Sequence, residues 1–72
     1  MPARLRDIKR ALEARGISVE EPKGSSHWKA TAPRITYTIP AHNGLRTEIT
    51  DIYIRALCRA FALDYETFKR EL

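Results

Sequence analysis

The stretch Lys23-Gly24-Ser25-Ser26-His27-Trp28-Lys29 sets a histidine between two lysines, behind a glycine and two hydroxyls. Histidine is the side chain whose ordinary pKa, near 6.5, lets it take up or release a proton at neutral pH. Fixed cations beside it are the groups that stabilise negative charge gathering at a reacting centre. Proton transfer next to positive charge is therefore the chemistry this stretch can offer, against the plainer alternative of a surface histidine that only makes hydrogen bonds. His42 is the second imidazole. Ser25 and Ser26 lack the third partner that serine nucleophiles require, and read as loop residues able to contact phosphate. His27, His42 and Cys58 show no paired-ligand spacing and the acidic residues lie elsewhere, so neither a metal site nor a cofactor is expected.

A hairpin has to position His27. Trp28, Ala30 and Ala32 alternate with polar neighbours, Ile35, Tyr37 and Ile39 do the same, and Pro33-Arg34 between them is turn chemistry. Side chains alternate faces along a strand, so the two apolar sets share a face only if Ala32 pairs with Ile35, Trp28 with Ile39 and His27 with Pro40. The other face then carries His27, Lys29 and Thr31 against Thr36, Thr38 and Pro40, which puts the histidine on a wet surface beside a lysine. In this register His42 falls roughly opposite Ser25, diagonal to His27. Trp28 is assigned to packing and not to base stacking, because its parity sends it to the core.

The remaining elements follow from periodicity. Leu5, Ile8 and Leu12, with Ala11 beside them and Gly16 as a stop, predict a helix over residues 3–15. Arg6, Lys9, Arg10 and Glu13 share an arc about 100° wide on it, either a solvated face or one that contacts phosphate. Ile17-Ser18-Val19 can start a short edge strand before Glu20, Glu21 and Pro22. Ile49, Ile52, Tyr53, Ala56, Leu57 and Ala60 predict a second helix of about 13 residues, with Thr47 or Thr50 as its cap. Ile54, Cys58 and Phe61 form a second apolar stripe, to be covered by a C-terminal turn with an Asp64 cap, Phe68 and Leu72, or by a partner. Asp51, Arg55 and Arg59 are left as its polar strip, with Asp51 and Arg55 at ion-pair spacing. The expected fold is α+β: a helix, a three-stranded antiparallel sheet, a helix and a short C-terminal helix, with one sheet face open.

Seventy-two residues make a single domain spanning 1–72, with a core limited by its size. The net charge of +4 and pI near 9.6 favour a polyanionic partner. The basic excess belongs to residues 1–46, which hold nine Lys and Arg against four acidic side chains; residues 47–72 hold four against five. A lone cysteine, Cys58, inside a helical pattern fits a reducing compartment. MPARLRDIKR has no apolar signal core, and no run is long enough to span a membrane, so a soluble, cytoplasmic protein without a membrane partner is expected.

Four motifs in order complete the reading: Gly24-Ser25-Ser26-His27 opening the hairpin, Ile39-Pro40-Ala41-His42 closing it, Ile54-Arg55-Ala56-Leu57 in the second helix, and Leu63-Asp64 leading to Phe68. Together with the basic first helix ending in glycine, they resemble the HicA family of toxin–antitoxin mRNA interferases over nearly the whole chain. The resemblance implies a double-stranded-RNA-binding-domain-like fold, endoribonuclease activity on single-stranded mRNA, and a HicB-like antitoxin that masks the site. It makes His27 the catalytic histidine. The chain departs from the family at Ala41, where the family often has an arginine, which puts one substrate contact of the family in question, and at Ala62, where glycine often ends the second helix.

Metal-free RNA cleavage needs a base to take the proton of the 2′-hydroxyl, so that its oxygen attacks the adjacent phosphate. His27 fits that role, with Lys23, Lys29 and the Gly24-Ser25 backbone near enough to stabilise the phosphate as it gains charge. His42 could protonate the leaving oxygen, hold a phosphate, or only shape the strand exit. Arg34, with Arg6, Lys9 and Arg10, would extend the phosphate footprint. The alternatives are a non-catalytic RNA-binding module of the same fold, and a protein-binding domain that docks a partner on its second apolar stripe.

Overall fold

Leu5, Ile8, Ala11 and Leu12 fall on one side of a helix, and all four are buried in α1 (Leu5–Glu13). The computed structural model describes residues 2–24 and 27–72. The helix starts two residues later than its periodicity predicts. Ala3–Arg4 (β1) is extended and pairs antiparallel with Glu48–Ile49 (β5), Ala3 opposite Ile49. The Leu5 amide donates to the Thr47 carbonyl at 2.8 Å, so the first turn of α1 is tied to the chain that enters the second helix. Helix propensity in two residues is worth tenths of a kcal/mol and yields to such a tertiary bond.

The sheet is β2 (Ser18–Glu20), β3 (His27–Ala32) and β4 (Ile35–Pro40), antiparallel, with β3 in the centre. Its hairpin has the register that alternation requires: Ala32 opposite Ile35, Trp28 opposite Ile39, His27 opposite Pro40. β2 adds Val19 opposite Ala30, which completes an inner face of Val19, Trp28, Ala30 and Ile39 packed in one core with α1. Toward the hairpin tip the helical cover runs out. Ile35, on the same face, is 39% exposed.

The second helix, α2 (Asp51–Ala60), has 10 residues and not about 13, because Ile49 belongs to β5. Its cap is Thr50, whose hydroxyl accepts the Tyr53 amide at 3.3 Å. Both apolar stripes are present in the sequence, but the helix is turned so that Ile54, Leu57 and Cys58, with Phe61 just beyond it, are buried while Ile52 is 82% exposed. The reason is the C-terminal helix α3 (Tyr65–Arg70), which packs on α2 and buries Phe68 completely. The stripe of Ile54, Cys58 and Phe61 is core between layers.

Polar contacts fasten α3. Asp64 accepts from the amide and hydroxyl of Thr67 at 3.0 and 2.7 Å. Arg15 grips Glu71 with two bonds, 2.8 and 2.6 Å, and stacks its guanidinium over the Phe68 ring. Asp51 accepts from the Tyr65 hydroxyl, from Arg55 at 2.9 Å and from Lys69 at 3.1 Å. The Tyr65 hydroxyl foremost, then Arg55 and Lys69, holds the Asp51 carboxyl well below the usual range; Thr67 lowers Asp64, and Arg15 lowers Glu71.

α1 and α2 end in the same motif. Past α1, Gly16 has φ 78 and the Ile17 amide bonds the Leu12 carbonyl at 3.0 Å. Past α2, Ala62 occupies the equivalent left-handed position, φ 55, and the Leu63 amide bonds the Cys58 carbonyl at 2.8 Å. The exit is the one a glycine would make, held by a residue whose β-carbon opposes it by roughly 1–2 kcal/mol. Ala62→Gly is therefore expected to stabilise the protein by about 0.5–1 kcal/mol after the added freedom of the unfolded chain is subtracted. Urea unfolding measures it, and an unchanged or lower midpoint would contradict the assignment.

The architecture is a small α+β fold, a helix, a three-stranded antiparallel sheet and further helices, with the helices on one face of the sheet. Among the described residues no helix is long and apolar enough to cross a membrane.

Candidate active site

Val19, Trp28, Ala30 and Ile39 point inward, so their neighbours must point out. The outer face carries Ser18 and Glu20 from β2, His27, Lys29 and Thr31 from β3, and Thr36 and Thr38 from β4. Across the strands they form rows, Ser18 beside Thr31 beside Thr36, and Glu20 beside Lys29 beside Thr38. Every one of these side chains is polar, so this face is built for water or a polar ligand and not for a second apolar layer. Along β3, His27 and Lys29 stand on the same face roughly 7 Å apart, two strand residues.

At one end of this face lies a groove of about 640 Å³. His27, Lys23, Lys29 and Thr38 line it, and Glu20, Glu21 and Pro22 complete the wall. His27, Lys23 and Lys29 are thus brought together as the sequence suggests, and all three are exposed. Among the described residues neither lysine forms an ion pair, although Glu20 and Glu21 share the groove with them. The floor is fixed from below. The Tyr53 hydroxyl of α2 donates to the Thr38 carbonyl, on the outer edge of β4, and Tyr53 packs edge-on against Tyr37 with ring centres 5.7 Å apart. Burial pushes the Tyr53 phenol up, which keeps it a donor.

Glu20 and Glu21 are groove residues that their sequence position, an acidic pair before a proline, does not announce. The signal is the parity of β2: once Val19 faces the core, Glu20 must stand beside Lys29 on the open face. Opposite charges directly across a strand pair are mutually stabilising.

His42 does not share this groove. β4 ends at Pro40, the chain turns, and His42 lines a neighbouring groove of about 420 Å³ with Glu21, Pro22, Gly24, Trp28 and Ala41. The two grooves meet along Glu21 and Pro22, which line both. Gly24 turns the loop between β2 and β3 with φ 76. Ser25 and Ser26, the proposed phosphate contacts, lie outside the described residues.

The other basic residues are elsewhere. Arg34 sits at the hairpin turn, roughly 20 Å along the strand from His27 at the usual rise per residue. Arg6, Lys9 and Arg10 project from α1, on the far side of the sheet from the groove, and are matched with acids on the same helix: Lys9 to Glu13 and Arg10 to Asp7, each at 2.9 Å, and Arg6 to Asp7 at 3.7 Å. That face is a solvated ladder of exposed pairs, worth tenths of a kcal/mol each. Among the described residues no three His, Cys, Asp or Glu side chains converge on a point where a metal ion could sit.

The arrangement is thus an exposed imidazole in an open groove with two ammonium groups and two carboxylates around it and a hydroxyl-rich sheet alongside. Comparison with protein-family models, with curated proteins and with solved structures finds no match to this chain.

Proposed function

We propose that this chain is a small metal-independent endoribonuclease of the HicA type, with a double-stranded-RNA-binding-domain-like fold, acting in the cytoplasm on single-stranded mRNA and held in check by a HicB-like antitoxin. One observation supports the reading: His27 stands in an open groove with Lys23 and Lys29, neither of which forms an ion pair among the described residues. The groove suits a phosphodiester, because an ammonium pair draws the phosphate in while the imidazole faces the ribose. His27 takes the proton of the 2′-hydroxyl; O2′ attacks the adjacent phosphorus; the bond to the 5′-oxygen breaks, and that oxygen takes a proton from water, which the open groove admits. The products are a 2′,3′-cyclic phosphate and a 5′-hydroxyl. Lys23 and Lys29 are matched to the charge the phosphoryl oxygens gain on the way.

The test uses purified protein and a defined single-stranded RNA. Cleavage is expected without added metal and in EDTA, with cyclic phosphate ends, and is expected to vanish when the 2′-hydroxyl at the cut site is replaced by hydrogen. Cleavage of that deoxy-substituted strand would remove the mechanism. Tight binding with no cleavage of any RNA would make the chain a binding module.

A further inference from the structure

We propose that the groove beside the His27 groove is a subsite for a guanine base, the base of a nucleotide adjoining the scissile phosphate, and that Glu21 selects it. The inference rests on the ribonuclease reading of the neighbouring groove and adds a base preference to it. The two depressions are adjacent, with Glu21 and Pro22 lining both, so an RNA strand with its phosphate at Lys23 and Lys29 would carry a base over this ridge. The second groove, about 420 Å³, falls within the range of small-ligand sites, roughly 300–1,000 Å³. Pro22, Trp28 and Ala41 give it apolar walls, and the exposed imidazole of His42 offers a ring to stack on or a hydrogen bond. Single-stranded RNA is read in this way, by stacking an unpaired base and hydrogen-bonding its Watson–Crick edge.

The choice of base follows from the one charged group in the lining. An ionised carboxylate only accepts hydrogen bonds, through two oxygens side by side. Guanine presents two adjacent donors on its Watson–Crick edge, N1–H and the N2 amino group, and can bond both oxygens at once. Adenine and cytosine set one amino donor next to a ring-nitrogen acceptor, which repels the carboxylate. Uracil has a single N–H between two carbonyls. Only guanine fills Glu21 without an opposed lone pair.

Trp28 is the sole tryptophan of the chain and walls this groove, so its fluorescence reports occupancy. Titrating the protein with each of the four nucleoside 3′-monophosphates is expected to give a saturable change with the guanosine nucleotide at a concentration at least tenfold lower than with the other three. Glu21→Gln, a change on an exposed loop, keeps the size but replaces one acceptor with a donor; the preference is expected to fall to within about twofold. In parallel, RNAs that differ only in the nucleotide adjoining the cut should be cleaved at least tenfold faster with guanine there, and about equally by Glu21→Gln. Equal binding of all four nucleotides, or a guanine preference that survives Glu21→Gln, would overturn the proposal. The two readings fail separately. Guanine-selective, Glu21-dependent fluorescence without RNA cleavage keeps the subsite and removes the ribonuclease, while cleavage with no base preference does the reverse.

Discussion

Replacing His27 with alanine is expected to lower single-turnover RNA cleavage by about 10²–10⁴-fold, the usual contribution of a positioned general base. RNA affinity should change little, because the proposed phosphate contacts, Lys23 and Lys29, stay in the groove. Stability should also stay within about 0.5 kcal/mol of the parent, since His27 is exposed on the outer face of β3 and contributes nothing to the core. That separation is what gives the experiment its force: loss of rate with folding and binding intact points to proton transfer. A His27→Ala protein that cuts at the parental rate would move the chemistry away from this groove. The same substitution in His42 would then be the next measurement, because its imidazole lies across the Glu21-Pro22 ridge.

The face that bears His27 was legible in the sequence for a simple reason. Two runs of alternating apolar residues joined by Pro33-Arg34 admit one register that buries both sets, and the structure has that register. The ion-pair spacing along α2 was equally visible, as Asp51 to Arg55, and the pair forms at 2.9 Å. Other features leave no periodic trace. A two-residue ladder such as Ala3–Arg4 with Glu48–Ile49 is too short to show alternation, and Ala and Arg are strong helix formers. The rotation of α2 is a tertiary outcome: with apolar residues on two stripes, either could face inward, and the docking of α3 decides that Ile54 and Cys58 do and Ile52 does not. The lining of the groove was half legible. Lys23, His27 and Lys29 are close in sequence, whereas Glu20 reaches them only through the pairing of a three-residue strand, and His42 is carried away by the turn that follows Pro40.

Phe68→Ala is the stability change with the largest expected effect, about 3–5 kcal/mol. A domain of this length has a total stability of roughly 4–11 kcal/mol at the usual value per residue, so the variant should be near or past its midpoint of unfolding under mild conditions. The size of the effect follows from how α3 is held. Six residues cannot sustain a helix alone. Its polar fastenings, Asp64 to Thr67, Arg15 to Glu71, and Tyr65 and Lys69 to Asp51, lie at or near the surface, where such contacts are individually weak. The largest apolar contribution is the burial of one ring, 0% exposed, which also gives Arg15 its stacking surface. Removing the ring takes away both the apolar anchor and the platform that orients the guanidinium toward Glu71. Beneath α3 lies Cys58, 1% exposed, its thiol pushed up by burial and so doubly unreactive. Urea unfolding gives the stability, and a thiol reagent applied without denaturant gives the local event: Cys58 is expected to be protected in the parent and to react rapidly in Phe68→Ala. Glu71→Ala, which removes only the exposed ion pair, is expected to cost less than about 1 kcal/mol and to leave Cys58 protected. If the Phe68 variant lost less than the Glu71 variant, α3 would be an appendage fastened by charge; the buried ring argues instead that it is part of the core, and that the apolar stripe it covers on α2 is not a free docking surface.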